Sequence, residues 1–326
     1  MPLISVIIPA FNSIDTLQYC VDSVFAQSFD DFEMIIVDNG SKDGTLELAK
    51  FFAQNHPNVK VLECKKRGVS PARNMGIDAA QGKYLFFLDS DDSIDNHAFE
   101  TVDSIIEEYF PEMIFVRHLP VIKGVPAKYK DNTASVILEK RQIPAFFLKT
   151  MKNYFLHFST NFFRKDFIEK ANARFLENIS LGEDILFNLN LFKHAEKIVF
   201  LSDPLYLYTA DNSNGLNRRL REDFFDIKIR LHLEMIEFFE NSNSWNQKNR
   251  ELYYSVFLND IFAAITNIYK SNGTKFDIIE ILNDPYVLEM CRYDIGKYLP
   301  FSKKMFFSAV KNKNLFLIKR AVKMGN

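Results

Sequence analysis

Apolar residues in the first third of the chain fall into short runs. Between the runs they recur every three or four positions. Leu3 to Ile8, Phe32 to Val37, Val59 to Leu62, Tyr84 to Leu88 and Met113 to Val116 are rich in β-branched and aromatic residues. Such runs suit strands buried on both faces of a parallel sheet. Leu17, Val21, Val24 and Phe25 then predict an amphipathic helix capped by Ser13 or Asp15, and Leu46, Leu48, Ala49 and Phe52 a second opened by Asp43. Ser70-Pro71 predicts a third, with Ser at the cap and Pro at the first helical position, carrying Arg73, Asn74 and Ile77 as far as Gln81-Gly82. A fourth is expected from about Asn96 to Tyr109. Strands alternating with helices imply right-handed βαβ units, an α/β fold and a mostly parallel, Rossmann-like sheet.

Three strand ends on one edge are polar although the strands behind them are apolar: Pro9 to Asn12, Asp38 to Ser41 and Asp89 to Asp92. The carboxyl ends of strands are where open α/β sheets bind ligands. In Asp89-Ser90-Asp91-Asp92, three carboxylates within four residues repel one another beside an apolar strand. A divalent cation such as Mg²⁺ or Mn²⁺ would remove that repulsion and share its coordination with a phosphate. The alternative is an acidic turn in which Asp92 or Ser93 caps the next helix. On a nucleotide reading, Asp38 could accept from a base, Asp89 could hold a ribose, and Asp91, alone or with Asp92, could hold the metal. Asp38 and Asp43 also suit capping.

Lys65-Lys66-Arg67-Gly68 precedes the third helix, and a basic loop before a helix N-terminus suits a diphosphate. Lys65 is expected simply to be solvated. Arg73 lies in that helix's first turn, against the dipole, so it should have a partner, either a phosphate or a strand-end carboxylate.

The second half is less regular. Val121 to Ile137 reads as short strands and loops, Gln142 to Met151 as helix, Phe158 to Phe163 as strand and Arg164 to Lys170 as the turn into a helix. Gly182-Glu183-Asp184 opens a helix with Ile185, Leu186, Leu189 and Phe192 on its apolar face, and the dipole alone favours acids there. Lys197 to Leu201 and Leu205 to Tyr208 read as strands. Thr209 to Gly215, followed by Arg218, Arg219 and Arg221, is a surface loop or a lid over a diphosphate. Phe224 to Phe239, Leu252 to Tyr269 and Phe276 to Met290 predict a helical subdomain. Residues 301–326 hold seven Lys or Arg and no acid among apolar residues. That pattern fits an interfacial helix on an anionic membrane, or a terminal helix docked on the protein with its basic face in water. The domains expected are 1–215, catalytic, with halves 1–120 and 121–215, and 216–326, helical with a basic tail.

Composition narrows the class. The chain is 47% hydrophobic and 25% charged with a formal net charge of −2, which suits a globular protein with no global attraction to nucleic acid. Cys20, Cys64 and Cys291 are far apart and lack metal spacing, so free thiols in a reducing compartment are expected. No signal peptide or membrane span is expected, which suggests a cytoplasmic protein. His157 and His194 have no partner at ligand spacing and are expected to be structural or exposed.

Four segments together resemble the ordered signatures of family 2 glycosyltransferases with the GT-A fold. They are Val6-Ile-Ile-Pro-Ala-Phe-Asn12, Ile36-Val-Asp-Asn-Gly-Ser-Lys-Asp-Gly-Thr45, Gly68-Val-Ser-Pro-Ala-Arg-Asn-Met-Gly76 and Phe86-Phe-Leu-Asp-Ser-Asp-Asp92. The resemblance covers about 1–120 and, more weakly, 155–210. It implies a nucleotide-sugar donor, most commonly a UDP-sugar, a Mn²⁺ or Mg²⁺ ion, and inversion at the anomeric carbon. It places Pro9, Ala10, Phe11, Asn12, Asp38, Asn39, Arg67, Arg73, Asp89 and Ser90 around the donor, with Pro9, Phe11 and Asp38 lining the base pocket. It gives the metal to Asp91 with Asp89, makes Asp184 the catalytic base and has Glu183 orient the acceptor. Two departures stand out: Asn39 replaces the second Asp of the family's Asp-Asp-Gly-Ser turn, and Lys66-Arg67 occupy a loop that often carries Asn.

The expected function is therefore metal-dependent, inverting transfer of one sugar to a hydroxyl of a growing surface glycan, free or lipid-linked, at the cytoplasmic membrane face. Two rivals remain. A sugar nucleotidyltransferase would need a Gly- and Lys-containing loop after the first strand, and Pro9 to Ser13 has neither residue. An idle nucleotide-sugar-binding or scaffold protein would not need Asp89, Asp91 and Asp184 together.

Overall fold

A computed structural model describes residues 1–127, 134–151, 161–179, 181–210, 220–271 and 273–324. The chain opens β1 (Ile4–Ala10), α1 (Leu17–Phe25), β2 (Phe32–Asp38), α2 (Thr45–Asn55), β3 (Val59–Glu63), α3 (Val69–Ala79), β4 (Tyr84–Phe87), β5 (Ser93–Ile94), α4 (Ala98–Tyr109) and β6 (Met113–Phe115). It continues β7 (His118–Ile122), β8 (Val125–Pro126), β9 (Val136–Glu139), α5 (Ile143–Met151), β10 (Phe162–Arg164), α6 (Lys165–Lys170), α7 (Glu183–His194), β11 (Lys197–Phe200) and β12 (Tyr206–Thr209). It ends α8 (Phe224–Asn241), α9 (Gln247–Lys270), α10 (Lys275–Asn283), α11 (Pro285–Met290), α12 (Phe301–Lys311) and α13 (Leu315–Met324). Two compact units result: Met1–Ile143 with Tyr154–Ser213, and Pro144–Asn153 with Asn214–Asn326.

In the first unit an eight-stranded sheet runs β3-β2-β1-β4-β10-β6-β11-β9. Its first four strands are parallel and joined by α1, α2 and α3, as the alternating pattern predicts. The far half is mixed, because β10 lies antiparallel between β4 and β6, and β9 antiparallel on β11. A smaller sheet, β5-β12-β7-β8, begins with β5, the strand that follows the acidic turn after β4.

Every residue of β1 and β2 is buried, which accounts for their runs of Ile and Val. β1 runs on through Pro9 to Ala10, past the apolar run that stops at Ile8. Pairing with β4 stops at Ile7, where Leu88 N donates to the Ile7 carbonyl, and residues facing β2 alternate with those facing β4. The missing Pro9 N–H therefore falls on a side with no ladder bond left to make. Gly76 lets α3 lie close on β1, since a Cβ there would stand 2.3 Å from Ile7 Cγ2. An aromatic core ties the late strand to the early ones. Phe86 stacks on Phe162 at 4.3 Å, and Phe175 stacks on Phe187 at 4.1 Å.

Helix starts differ from the sequence reading by a residue or two. Thr16, not Ser13 or Asp15, stands at the start of α1, and the Ser13 carbonyl accepts from Thr16 and Leu17. Gly68 precedes α3, so Ser70 and Pro71 lie inside its first turn. Residues 158–160 of the expected strand, His157 and the candidate lid residues 211–219 lie outside the described residues.

In the second unit, α8 and α9 pack through His232, Phe239, Tyr253 and Phe257. The stretch from Phe276 to Met290 is two helices rather than one. Pro285 begins α11, and Asp284 Oδ1 accepts from Tyr286 N at 2.8 Å, because a proline cannot continue the preceding turn. The basic tail is likewise two helices. Each buries an apolar face, Phe306, Ala309 and Val310 on α12 and Ile318 and Val322 on α13. Among the described residues no helix is long and apolar enough to cross a membrane.

Candidate active site

The ends of β1, β2 and β4 meet as the alternating pattern requires, and hydrogen bonds fix their loops. Asn12, at φ 49°, donates its N–H to Ser41 Oγ at 3.0 Å and accepts from Lys42 N at 2.9 Å. Ser13 Oγ lies 2.7 Å from Ser90 Oγ, so Ser90 joins the β1 and β4 loops. Asp43 accepts from Ile14 N and from the Thr45 hydroxyl at the start of α2. Asp38 holds its own turn, the capping role expected of it. One oxygen accepts from Gly40 N and Ser41 N at 3.0 and 3.2 Å, while the other is buried without a partner. An orphaned buried carboxylate oxygen is costly, and it is the acceptor that a base N–H would satisfy.

Phe11 is 48% exposed beyond Pro9 and Ala10, and the Arg67 guanidinium lies 5.6 Å from its ring centre. Asn39 sets the loop that carries Arg67. Its amide donates to the Lys66 carbonyl at 2.7 Å, and its side-chain oxygen accepts from Gly68 N at 2.7 Å. A carboxylate could make only the second bond, which gives a physical reason for Asn at this position. Lys66 also pairs with Glu177 at 2.5 Å.

Arg73 joins the two acidic segments. Its side chain is 5% exposed, with Nη2 2.9 Å from Asp89 Oδ1 and Nη1 3.3 Å from Glu183 Oε1. The Phe175 ring covers it at 5.2 Å. Burial works against its charge, but Asp89, Glu183 and Asp184 outweigh burial and hold the guanidinium more firmly protonated. The partner expected for Arg73 is thus carboxylate on both sides.

Glu183 and Asp184 open α7, with Gly182 before them at φ 80°. Burial pushes both carboxyls above their usual range. For Glu183 the neighbouring Asp184 charge adds to the rise and Arg73 opposes it. For Asp184, Arg73 and the Ile185 N–H oppose it.

Asp92 does not cap α4. Its carboxylate accepts from the Tyr206 hydroxyl at 2.7 Å and from Thr209 N at 2.8 Å, which ties the acidic turn to β12. Burial and then the charge of Asp89 push its carboxyl up to about 8. Asp92 is therefore engaged by β12, as Asp89 is by Arg73, and a cation at this turn would fall to the carboxylates of Asp91 and Asp89. All-oxygen carboxylates fit Mn²⁺ or Mg²⁺. Among the described residues no group of three His, Cys, Asp or Glu side chains is placed to hold a metal ion.

Several supporting residues have no signal in the local sequence. Tyr206 and Thr209 hold Asp92 from more than a hundred positions away. Asn74 clamps α3 to the loop before α7, donating to the Phe175 carbonyl and accepting from Phe175 N, both at 2.9 Å. The only available clue is that Asn74 directly follows Arg73 in a matched segment.

The comparisons with known proteins agree with this architecture. The chain belongs to the family described as Glycosyl transferase family 2, whose model matches residues 5–171, and it is a glycosyltransferase. It is 25% identical over 332 residues to EpsJ of Bacillus subtilis, named an uncharacterized glycosyltransferase, covering 98% of this chain and 95% of that one. It is 27% identical over 242 residues to the poly(ribitol-phosphate) beta-N-acetylglucosaminyltransferase TarS of Staphylococcus aureus, covering 71% of this chain and 40% of that protein's length. A crystal structure of S. aureus TarS 1-349 in complex with UDP-GlcNAc shares the fold, with a TM-score of 0.72 at 19% identity, covering 99% of this chain and 92% of that one. The fold is accordingly GT-A, with a helical region after it.

Proposed function

We propose that this chain transfers one sugar from a nucleoside-diphosphate sugar, a UDP-sugar, to a hydroxyl of a growing surface glycan, with inversion. The observation that carries the reading is the Arg73 bridge, which brings Asp89 of the donor edge within one side chain of Glu183 at the α7 N-terminus. A bridging cation between two sets of acids suits a reaction in which a donor diphosphate and an acceptor hydroxyl must meet. The UDP-GlcNAc complex of the similarly folded TarS supports a UDP-sugar donor.

In this reading the unpartnered Asp38 oxygen accepts from the base, Phe11 and Pro9 flank it, and Asp89 faces the ribose. Ala10, Asn12, Asn39 and Ser90 hold the loops around the donor. Arg67 and Arg73 lie toward the diphosphate and its carboxylate neighbours. A Mn²⁺ or Mg²⁺ ion held by Asp91, with Asp89, would neutralise charge on the departing diphosphate. Asp184 accepts the proton of the acceptor hydroxyl as that oxygen attacks the anomeric carbon, and Glu183 orients the acceptor. With a base and no enzyme nucleophile, attack comes from the face opposite the leaving group, which inverts the configuration.

Residues 1–215 would form the catalytic part, split near 120 between donor and acceptor halves, with 216–326 a helical region. The acceptor would be a capsule, lipopolysaccharide or other lipid-linked chain, met at the cytoplasmic face of the membrane. The test is the anomeric configuration of the product by NMR: an α-linked donor should give a β-linked product. Retention would rule out Asp184 acting as a simple base.

A further inference from the structure

Outside the catalytic unit, the outward faces of α12 and α13 combine aromatic rings with unneutralised cations. The inward faces are already used, since Phe306, Ala309, Val310, Ile318 and Val322 are buried, and Phe306 meets Phe262 of α9 edge-on at 5.0 Å. Large apolar side chains nevertheless point away from that core. Phe301 is 79% exposed, Met305 48%, and Phe316 and Met324 each 75%. At helical spacing, Phe301, Lys304 and Met305 share one face of α12, and Phe316, Lys319, Arg320 and Lys323 share one face of α13.

The charge on these faces has one sign. No Asp or Glu occurs between 301 and 326. Lys303 is turned to Asn259 and Lys313 to Asn283. Among the described residues, Lys304, Lys311, Lys319, Arg320 and Lys323 are exposed and make no ion pair. Like charges gathered around exposed rings raise the energy of the isolated protein, and both costs fall at one kind of surface. At a bilayer with anionic headgroups, the rings enter the acyl boundary while the ammonium and guanidinium groups meet phosphates.

We infer that the outward face of α12 and α13 is a docking surface for a membrane rich in anionic phospholipid. This gives physical form to the membrane-face location proposed above, on which it rests. It is tested without turnover, so it and the transferase chemistry can fail separately.

The experiment is co-sedimentation of the full chain with phosphatidylcholine vesicles, with and without phosphatidylglycerol, at low and high salt. The chain should sediment with the anionic vesicles only, and less so at high salt. Lys319→Glu/Arg320→Glu/Lys323→Glu should weaken binding at least about a hundredfold. Phe301→Ser/Phe316→Ser should also weaken it, with melting temperature unchanged because both rings lie outside the core. Equal binding to neutral vesicles, no binding to either, or native binding by both variants would overturn the inference. So would a dimer in light scattering that the Phe variant dissolves while vesicle binding persists.

Discussion

Arg73 Nη2 donates to Asp89 Oδ1 at 2.9 Å from a side chain that is almost wholly buried. The same guanidinium reaches Glu183, so one residue compensates acids on two elements that lie 94 positions apart in the sequence, the difference between 183 and 89. Arg73→Ala should leave the mostly buried Glu183 and the partly exposed Asp89 without a counter-charge. The expected cost is about 2–4 kcal/mol in urea unfolding, below the full value for a buried pair because Asp89 is partly exposed. Donor turnover should fall at least about a hundredfold. Arg73→Lys should recover part of the stability and little of the activity, because an ammonium cannot span both carboxylates. Native-like stability in Arg73→Ala would contradict this account.

As the proposed base, Asp184 should set an acid limb in the rate profile. Burial holds its carboxyl above the ordinary range, and a base works only when deprotonated. Activity should therefore be present at high pH and be lost as pH falls through this raised value, at a pH above that of a free carboxylate. On the proposed role of Asp184 as proton acceptor, Asp184→Asn should abolish transfer while leaving UDP affinity, read by calorimetry, within about threefold.

Asn39 offers a test of loop positioning. Asn39→Asp keeps the acceptor for Gly68 N but sets a carboxylate against the Lys66 carbonyl. The donor KM should rise about tenfold with kcat nearly unchanged, alongside a loss of roughly 1–2 kcal/mol in stability. A fall in kcat alone would argue against a role confined to the donor loop.

Much of this architecture is legible in the sequence, for reasons that differ by element. The β1 to β4 half is legible because strands buried on both faces must be apolar and their polar ends must serve something. The Glu183–Asp184 pair is legible as a helix start. The clasp of Asp92 by Tyr206 is not, because it depends on β12 packing beside the β4 turn, and an aspartate in a turn reads equally as a cap or a ligand. The same holds for the Asn74 clamp on Phe175. The mixed half of the sheet is hidden too, since β10 supplies only three residues and its direction is set by packing against Phe86 rather than by its own pattern.

The second unit has its own pH signature. His232 Nδ1 lies 2.9 Å from the Tyr253 hydroxyl and the ring stacks on Phe257 at 3.9 Å, and burial drives its pKa down to about 3. A depressed value means the unfolded chain takes up a proton that the folded one refuses. The stability it supports is present above the unfolded value near 6.5 and is lost as pH falls toward 3, at up to about 1.4 kcal/mol per pH unit. His232→Phe should remove this component. Urea unfolding at pH 7.5 and 5.5 should show the native chain losing about 1 kcal/mol more than the variant.

The most direct test of the central claim is release of nucleoside diphosphate from a panel of nucleotide-sugars. It is run with Mn²⁺ or with EDTA, on the native chain and on Asp91→Ala. The account predicts slow, metal-dependent release from one UDP-sugar, abolished by EDTA and by Asp91→Ala. Release that persists undiminished in EDTA and in Asp91→Ala would contradict it.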